Sequence, residues 1–219
     1  MQDLVTLKGM ILKSEPQGEY DRRVVILSRE RGRITAFAKG ARKIGNRFMA
    51  ATNPFVFGTF KLYEGRSSYS VNDVEVENYF EDMRLKFEES CYGMYFLEIA
   101  DYYTVENTDE SAMLLLVYRA LQALLKDTYS NRFVRAVFEI KAVSINGEFA
   151  GIKEKDIPNY SEAARYSVKY ICDSTIKNLF NFSVTEEVLT ELEKISRSAI
   201  GESVDRKLKS SELLDEFID

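Results

Sequence analysis

The hydrophobic pattern of this chain changes period near residue 79, and no other feature limits its folds as much. Upstream, short β-rich runs follow one another: Val5–Lys13, Arg22–Arg29, Arg33–Lys39, Phe55–Tyr63 and Tyr69–Tyr79. Turn signals stand at Glu15-Pro16-Gln17-Gly18, Glu30-Arg31-Gly32 and Glu64-Gly65-Arg66, where Pro presets φ and Gly tolerates positive φ. Five short strands, with one longer break between the third and fourth, predict a small closed barrel of the OB type over residues 1–79.

From Phe80 onward apolar residues recur at helical spacing. Leu85, Tyr92, Tyr95, Phe96, Ile99 and Tyr103 mark a helix within 81–104. Residues 110–126 are apolar nearly all round, as a buried helix is, and 131–145 form another with Asn146-Gly147 as its exit. The stretch 148–172, with Gly151 and Pro158, reads as an irregular insert. Ser183-Val184-Thr185-Glu186 fits a capping box ahead of the stripe Val188, Leu189, Leu192 and Ile195. A last amphipathic helix is expected from about Ser203 to Phe217. The fold class is α+β in two parts: the barrel, then an all-α domain over 80–219. No Gly/Ser linker marks the junction, so the two parts are expected to pack together.

Composition removes several function classes. The chain has no histidine, which excludes imidazole acid–base work and Ser-His or Cys-His nucleophiles. Cys91 and Cys172 are the only cysteines, so no Cys-rich zinc site can form within one chain and a reducing cytoplasm is expected. Cys91, in a helical apolar stretch, reads as a small core residue. No apolar run reaches membrane-spanning length, and the start of the chain lacks the pattern of a secretory signal. Glu148, Glu154 and Asp156 read as solvated loop charges rather than a metal-dependent catalytic set, so neither a catalytic site nor a cofactor is expected.

The net charge of -5 hides an asymmetry. Residues 1–78 hold 13 Lys+Arg against 9 Asp+Glu, and residues 20–50 hold nine against two. A local basic patch sets where polyanions dock, whatever the global charge. Within it, Gly40 and Gly45 have the glycine spacing of a nucleotide-binding P-loop. Asn46 stands where that motif needs Lys, however, and Arg47 where it needs Ser or Thr, so the phosphate- and magnesium-binding groups are missing. Lys39, Arg42, Lys43 and Arg47 instead place four cations in nine residues, a loop suited to a phosphodiester backbone. On the third strand Arg33, Thr35, Phe37 and Lys39 share a face; on the fourth, Phe55, Phe57, Thr59, Lys61 and Tyr63 do. Single-stranded nucleic acid sites on OB barrels combine such cations and rings. The candidate backbone contacts are Arg22, Arg23, Arg31, Arg33, Lys39, Arg42, Lys43 and Arg47, and the candidate stacking rings are Phe37, Phe57 and Tyr63.

The run Glu19-Tyr20-Asp21-Arg22, then Arg29-Glu30-Arg31-Gly32-Arg33-Ile34-Thr35-Ala36 and Ala38-Lys39-Gly40-Ala41-Arg42-Lys43, resembles the amino-terminal domain of the bacterial RecO recombination mediators. Phe138-Glu139-Ile140-Lys141 with Asn146-Gly147, and Lys207-Leu208-Lys209-Ser210-Ser211-Glu212-Leu213-Leu214, resemble later segments of the same family. The resemblance implies an OB-fold followed by a helical domain. It also implies a DNA repair protein, without an active site, that binds single- and double-stranded DNA and anneals complementary strands. The implied partners are a RecR-like mediator and the tail of single-strand-binding protein, with RecA loading as the outcome and the bacterial nucleoid as the place. Many family members carry a four-cysteine zinc motif after the mid-protein helix. Here 148–175 offers only Cys172, so no zinc is expected and packing of Ile157, Tyr166, Val168 and Ile171 must replace it. Arg132 and Arg135, one helical turn apart beside Phe133 and Val134, are candidates for holding an acidic, apolar partner peptide; ordinary pairing with nearby carboxylates is the alternative. An OB-fold RNA binder, or a protein-interaction adaptor without annealing activity, is the alternative function.

Overall fold

Alternation along each strand decides which side chains fill the barrel. In the computed structural model, which describes residues 3–217, β3 (Gly32–Ala38) buries Ile34, Ala36 and Ala38 and turns Arg33, Thr35 and Phe37 outward. β4 (Phe57–Glu64) likewise buries Phe60 and Leu62 and turns Phe57, Thr59, Lys61 and Tyr63 outward. With β1 (Leu4–Gln17), β2 (Asp21–Ser28) and β5 (Tyr69–Asn78) these strands close in the order β1-β2-β3-β5-β4. Only the β3–β5 pair is parallel. Ile11, Val24, Ile26, Ile34, Phe60 and Leu62 form the centre of the interior, each worth roughly 1.5–3 kcal/mol of burial. A four-residue helix, α1 (Phe48–Ala51), fills the break between β3 and β4 and adds Phe48 to that core. This is the expected OB architecture.

Two local expectations give way in the barrel. β1 continues through Glu15-Pro16-Gln17, so the turn into β2 is Gly18–Tyr20. β1 pairs with β4 only as far as Met10, and Pro is tolerated where a strand has an unpaired edge. Phe55 does not share the outer face of β4. It lies before the strand with φ 72, is 7% exposed, and donates its N–H to the Ile11 carbonyl.

The chain divides into two compact units, one running up to Leu85 and including Ala100–Leu114, the other Lys86–Ile99 with Leu115–Asp219. In the first, the end of α2 (Phe87–Tyr103) supplies Asp101, 7% exposed, which accepts from Lys13 Nζ at 2.7 Å and Arg33 Nη1 at 3.2 Å. Gly32 sits at φ 63 between β2 and β3, where a Cβ would come within 2.1 Å of the Val105 carbonyl oxygen. The close approach lets Arg33 N–H donate to that same carbonyl at 3.1 Å. Only Gly fits both the backbone angle and the space.

The second unit is helical. It holds most of α3 (Ser111–Leu124), then α4 (Asn131–Ile145), α5 (Glu162–Asp173), α6 (Glu186–Ser203) and α7 (Lys209–Phe217). α4 packs on α5 and α6, buries every side chain from Ala136 to Val143, and stacks Phe138 on Phe96 with ring centres 4.1 Å apart. Ser130 caps its start by accepting from Phe133 N–H, and Gly147 N–H donates to the Ser144 carbonyl at its exit.

The insert expected to be irregular contains α5, capped by Ser161, whose hydroxyl accepts from Ala164 N–H. Its four-residue spacing, Ala164–Val168 with Ile171, is buried, but charged residues between them hid the stripe. Val168 and Ile171 do pack, whereas Tyr166 is 71% exposed on the other face. The cap of α6 is Thr185, accepting from Val188 N–H, rather than Ser183. The last helix starts at Lys209, because α6 itself runs on to Ser203. Among the described residues no helix is long and apolar enough to cross a membrane, and no cluster of Cys, Asp or Glu is placed to hold a metal ion.

Candidate nucleic-acid interface

The basic loop is a built structure. Asp21, opening β2, accepts from Gly40 N–H at 2.7 Å, and Arg42 N–H donates to the Tyr20 carbonyl at 2.8 Å. These two bonds tie the β3–β4 connection to the β1–β2 turn. Arg42 Nη1 reinforces the tie by donating to the carbonyls of Gly18 and Glu19, both at 3.1 Å. Lys43 places its ammonium 4.8 Å from the centre of the Tyr20 ring. A hydrogen bond to Glu19 pushes the Tyr20 phenol above its ordinary pKa.

The eight candidate cations fall into separate groups. Arg22 pairs with Ala38 across the ladder, so its side chain turns over the barrel end. There Nη1 donates to the Met49 carbonyl, Thr52 Oγ1 and Asn53 Oδ1, at 2.9, 3.0 and 2.9 Å. Burial, and then the positive charge of Arg42, lower the Arg22 pKa. Lys39, Arg42 and Lys43 have no carboxylate partner among the described residues. Arg47 lies on the Phe48 ring at 4.8 Å and donates to Asp73 Oδ1 and the Asn72 carbonyl, yet two thirds of its side chain stays exposed. Arg23, on the outer face, pairs with Glu15 at 3.1 Å.

Arg31 and Arg33 are elsewhere. Arg22↔Ala38 and Ser28↔Gly32 end the β2–β3 ladder, six residues or about 20 Å apart; Arg33 pairs with Leu27 next to the second end, and Arg31 lies in the turn just beyond it. Arg31 faces Glu64 at 3.6 Å; Arg33 donates to Asp101 and to the Thr104 carbonyl. Sequence spacing cannot separate the two ends of a hairpin.

The candidate rings also split. Phe37 pairs with Ser70 of β5, and Ser70 pairs with Tyr63 of β4, so Phe37 and Tyr63 flank one strand on the outer surface, roughly 10 Å apart. Phe57 is six residues down β4, under the Lys8 ammonium at 5.3 Å. Lys61 on the same face is bound by Glu75 at 2.5 Å and Asp73 at 3.6 Å, which neutralises it.

In the helical unit Arg132 makes a two-pronged pair with Glu193 at 2.8 and 2.6 Å and reaches Glu186 at 2.5 Å, which raises its pKa. Arg135 Nε donates to Glu139 Oε1, which also accepts from the Tyr95 hydroxyl at 2.6 Å. Arg135, Arg197, Arg206 and Lys207 line a cavity of about 490 Å³ with Leu208 and Val204. Lys141 escaped the sequence reading. Buried in α4, it donates to the carbonyls of Cys172 and Ser174 at 2.7 and 2.8 Å, tying α4 to the end of α5 where cysteine ligands are absent. A charge inside the apolar run Ala136–Val143 was the available signal. Cys91 and Cys172 are both half-buried, and burial raises each thiol's pKa.

A closed five-stranded barrel with a tethered basic loop, followed by a helical unit, defines the class of OB-barrel proteins with an α-helical second part. A family model described as "Recombination protein O N terminal" matches residues 1–80. A protein of Acetivibrio thermocellus named DNA repair protein RecO is 30% identical over 90% of this chain and 91% of its own. Proteins of the same name from Alkaliphilus metalliredigens (29%, covering 84% of this chain and 69% of theirs) and Clostridium perfringens strain 13 (26%, covering 96% and 97%) align similarly. The chain belongs to the RecO family.

Proposed function

We propose that this protein acts in DNA repair by recombination, as the relatives' name indicates, and docks the backbones of single- and double-stranded DNA on its basic loop. Lys39, Arg42, Lys43 and Arg47 form the centre of the contact, with Arg23 beside them; Phe37 and Tyr63 offer rings to unstacked bases. The observation that carries this reading is the tethered loop whose Lys39, Arg42 and Lys43 face no carboxylate among the described residues. A surface that neutralises two backbones lowers their mutual repulsion, and base pairing supplies specificity, so the activity that follows is annealing of complementary strands. Loading of RecA onto DNA coated by single-strand-binding protein, with a RecR-like mediator, extends the same role. The acidic tail of single-strand-binding protein would meet the helical unit at the cavity bordered by Arg135, Arg197, Arg206 and Lys207, whose lining holds four basic residues and one acidic residue, Glu139.

The test is annealing of complementary strands precoated with single-strand-binding protein. Wild type should accelerate it, and Lys39→Glu with Lys43→Glu should remove most of the acceleration while leaving the far-ultraviolet CD spectrum intact. Full activity in that double variant would refute the loop assignment. RNA and DNA oligonucleotides compared at matched salt separate this role from RNA binding, since backbone contacts alone do not read the sugar.

A further inference from the structure

Ile44 has no structural reason to be apolar. It lies at the tip of the basic loop, 99% exposed, the most exposed large hydrophobic side chain among the described residues. Lys43, Ile44, Gly45 and Asn46 form a turn closed by Asn46 N–H donating to the Lys43 carbonyl at 3.1 Å. Gly45 takes φ 78 at its third position, the residue a type II turn requires there. The second position imposes no need for a β-branched hydrocarbon.

The turn is held on both sides. Lys43 N–H donates to the Gly40 carbonyl at 2.9 Å, and Asn46 Oδ1 accepts from Phe48 N–H at 2.8 Å. The tip is therefore a preformed projection, with Lys43 immediately before the isoleucine and Arg47 three residues after it. Proteins that kink or unstack nucleic acid insert such apolar side chains between neighbouring bases while flanking cations hold the phosphates.

We propose that Ile44 is a wedge: its side chain enters a step between adjacent DNA bases, with Lys43 and Arg47 on the phosphates around that step. This deepens the loop reading above and rests on it. Bases splayed by the wedge would be presented unstacked, the state in which a complementary strand can be sampled.

The chain contains no tryptophan, so optical probes are unobstructed. The experiment uses the full-length protein and oligonucleotides carrying 2-aminopurine, whose fluorescence rises when it is unstacked. Binding is followed in parallel by anisotropy of an end label. Wild type should raise 2-aminopurine fluorescence as anisotropy saturates. Ile44→Ser should bind about tenfold more weakly, with an unchanged salt slope, and lose at least half of the fluorescence rise at saturation. Ile44→Trp should show quenching of its own emission on DNA, as its ring meets the bases. A wild-type complex that saturates in anisotropy with silent 2-aminopurine overturns the wedge and leaves the backbone reading standing. So does an Ile44→Ser variant with the full wild-type rise. Absence of any anisotropy change at low salt overturns both.

Discussion

Arg42 donates to the carbonyls of Gly18 and Glu19, whereas the neighbouring Lys43 rests on the Tyr20 ring, so charge reversal at the two positions tests different things. Lys43→Glu or Lys39→Glu alters charge without breaking a backbone tie. Each should weaken single-stranded DNA binding and reduce the magnitude of the log–log salt slope by about 0.7, measured by anisotropy titration at several salt concentrations. Lys141 makes a second residue-scale test. Lys141→Met leaves the carbonyls of Cys172 and Ser174 without their donor, and urea unfolding should show a loss of about 1–3 kcal/mol. Burial holds the Lys141 ammonium below its ordinary value of 10.5. Between the lowered and the ordinary pKa the unfolded chain binds more protons, so this group's contribution makes stability rise with pH across that interval. The rise should be absent in Lys141→Met. Of the individual side chains, the loop cations were legible because a run of like charge has few burial options. Asp21, Asp101 and Lys141 were not, because their partners lie far away in sequence.

Elements were easier to read than their ends. The strands follow from alternation that the closed barrel enforces, since shifting one strand by a residue would expose its whole interior set. Helix α4 follows from an apolar face that α5 and α6 cover. Helix α5 was hidden because Arg165, Lys169 and Asp173 intersperse its buried positions and Pro158 lies just upstream. The cap of α6 was misplaced by two residues because Ser183 and Thr185 both precede glutamates, and only backbone geometry separates them. Thr185→Ala should therefore cost about 1 kcal/mol in chemical denaturation, and Ser183→Ala should stay within about 0.5 kcal/mol of wild type. At the β2–β3 turn, Gly32→Ala brings a Cβ against the Val105 carbonyl in a backbone conformation that alanine resists. A drop of more than about 1 kcal/mol is expected by the same method.

Across the whole molecule, an acidic chain leaves Lys39, Arg42 and Lys43 of its basic loop open while many of its carboxylates are engaged elsewhere. Glu15 holds Arg23, Asp101 holds Lys13 and Arg33, Glu75 holds Lys61, and Glu193 holds Arg132. Of the acids beside the loop, Asp21 accepts a backbone N–H from Gly40 and Asp73 takes Arg47. This sorting of charges was invisible in a count of the sequence, which placed eight cations in one list although two lie at the far end of a hairpin. The account stands on the Lys39–Arg47 loop meeting phosphates. The direct measurement is the salt dependence of single-stranded DNA affinity, for wild type and for the Lys39→Glu, Lys43→Glu double variant. About five contacts give a wild-type slope near -3.5 and a clearly shallower one in the variant. An affinity indifferent to salt, or a variant that follows the wild-type line, would contradict it.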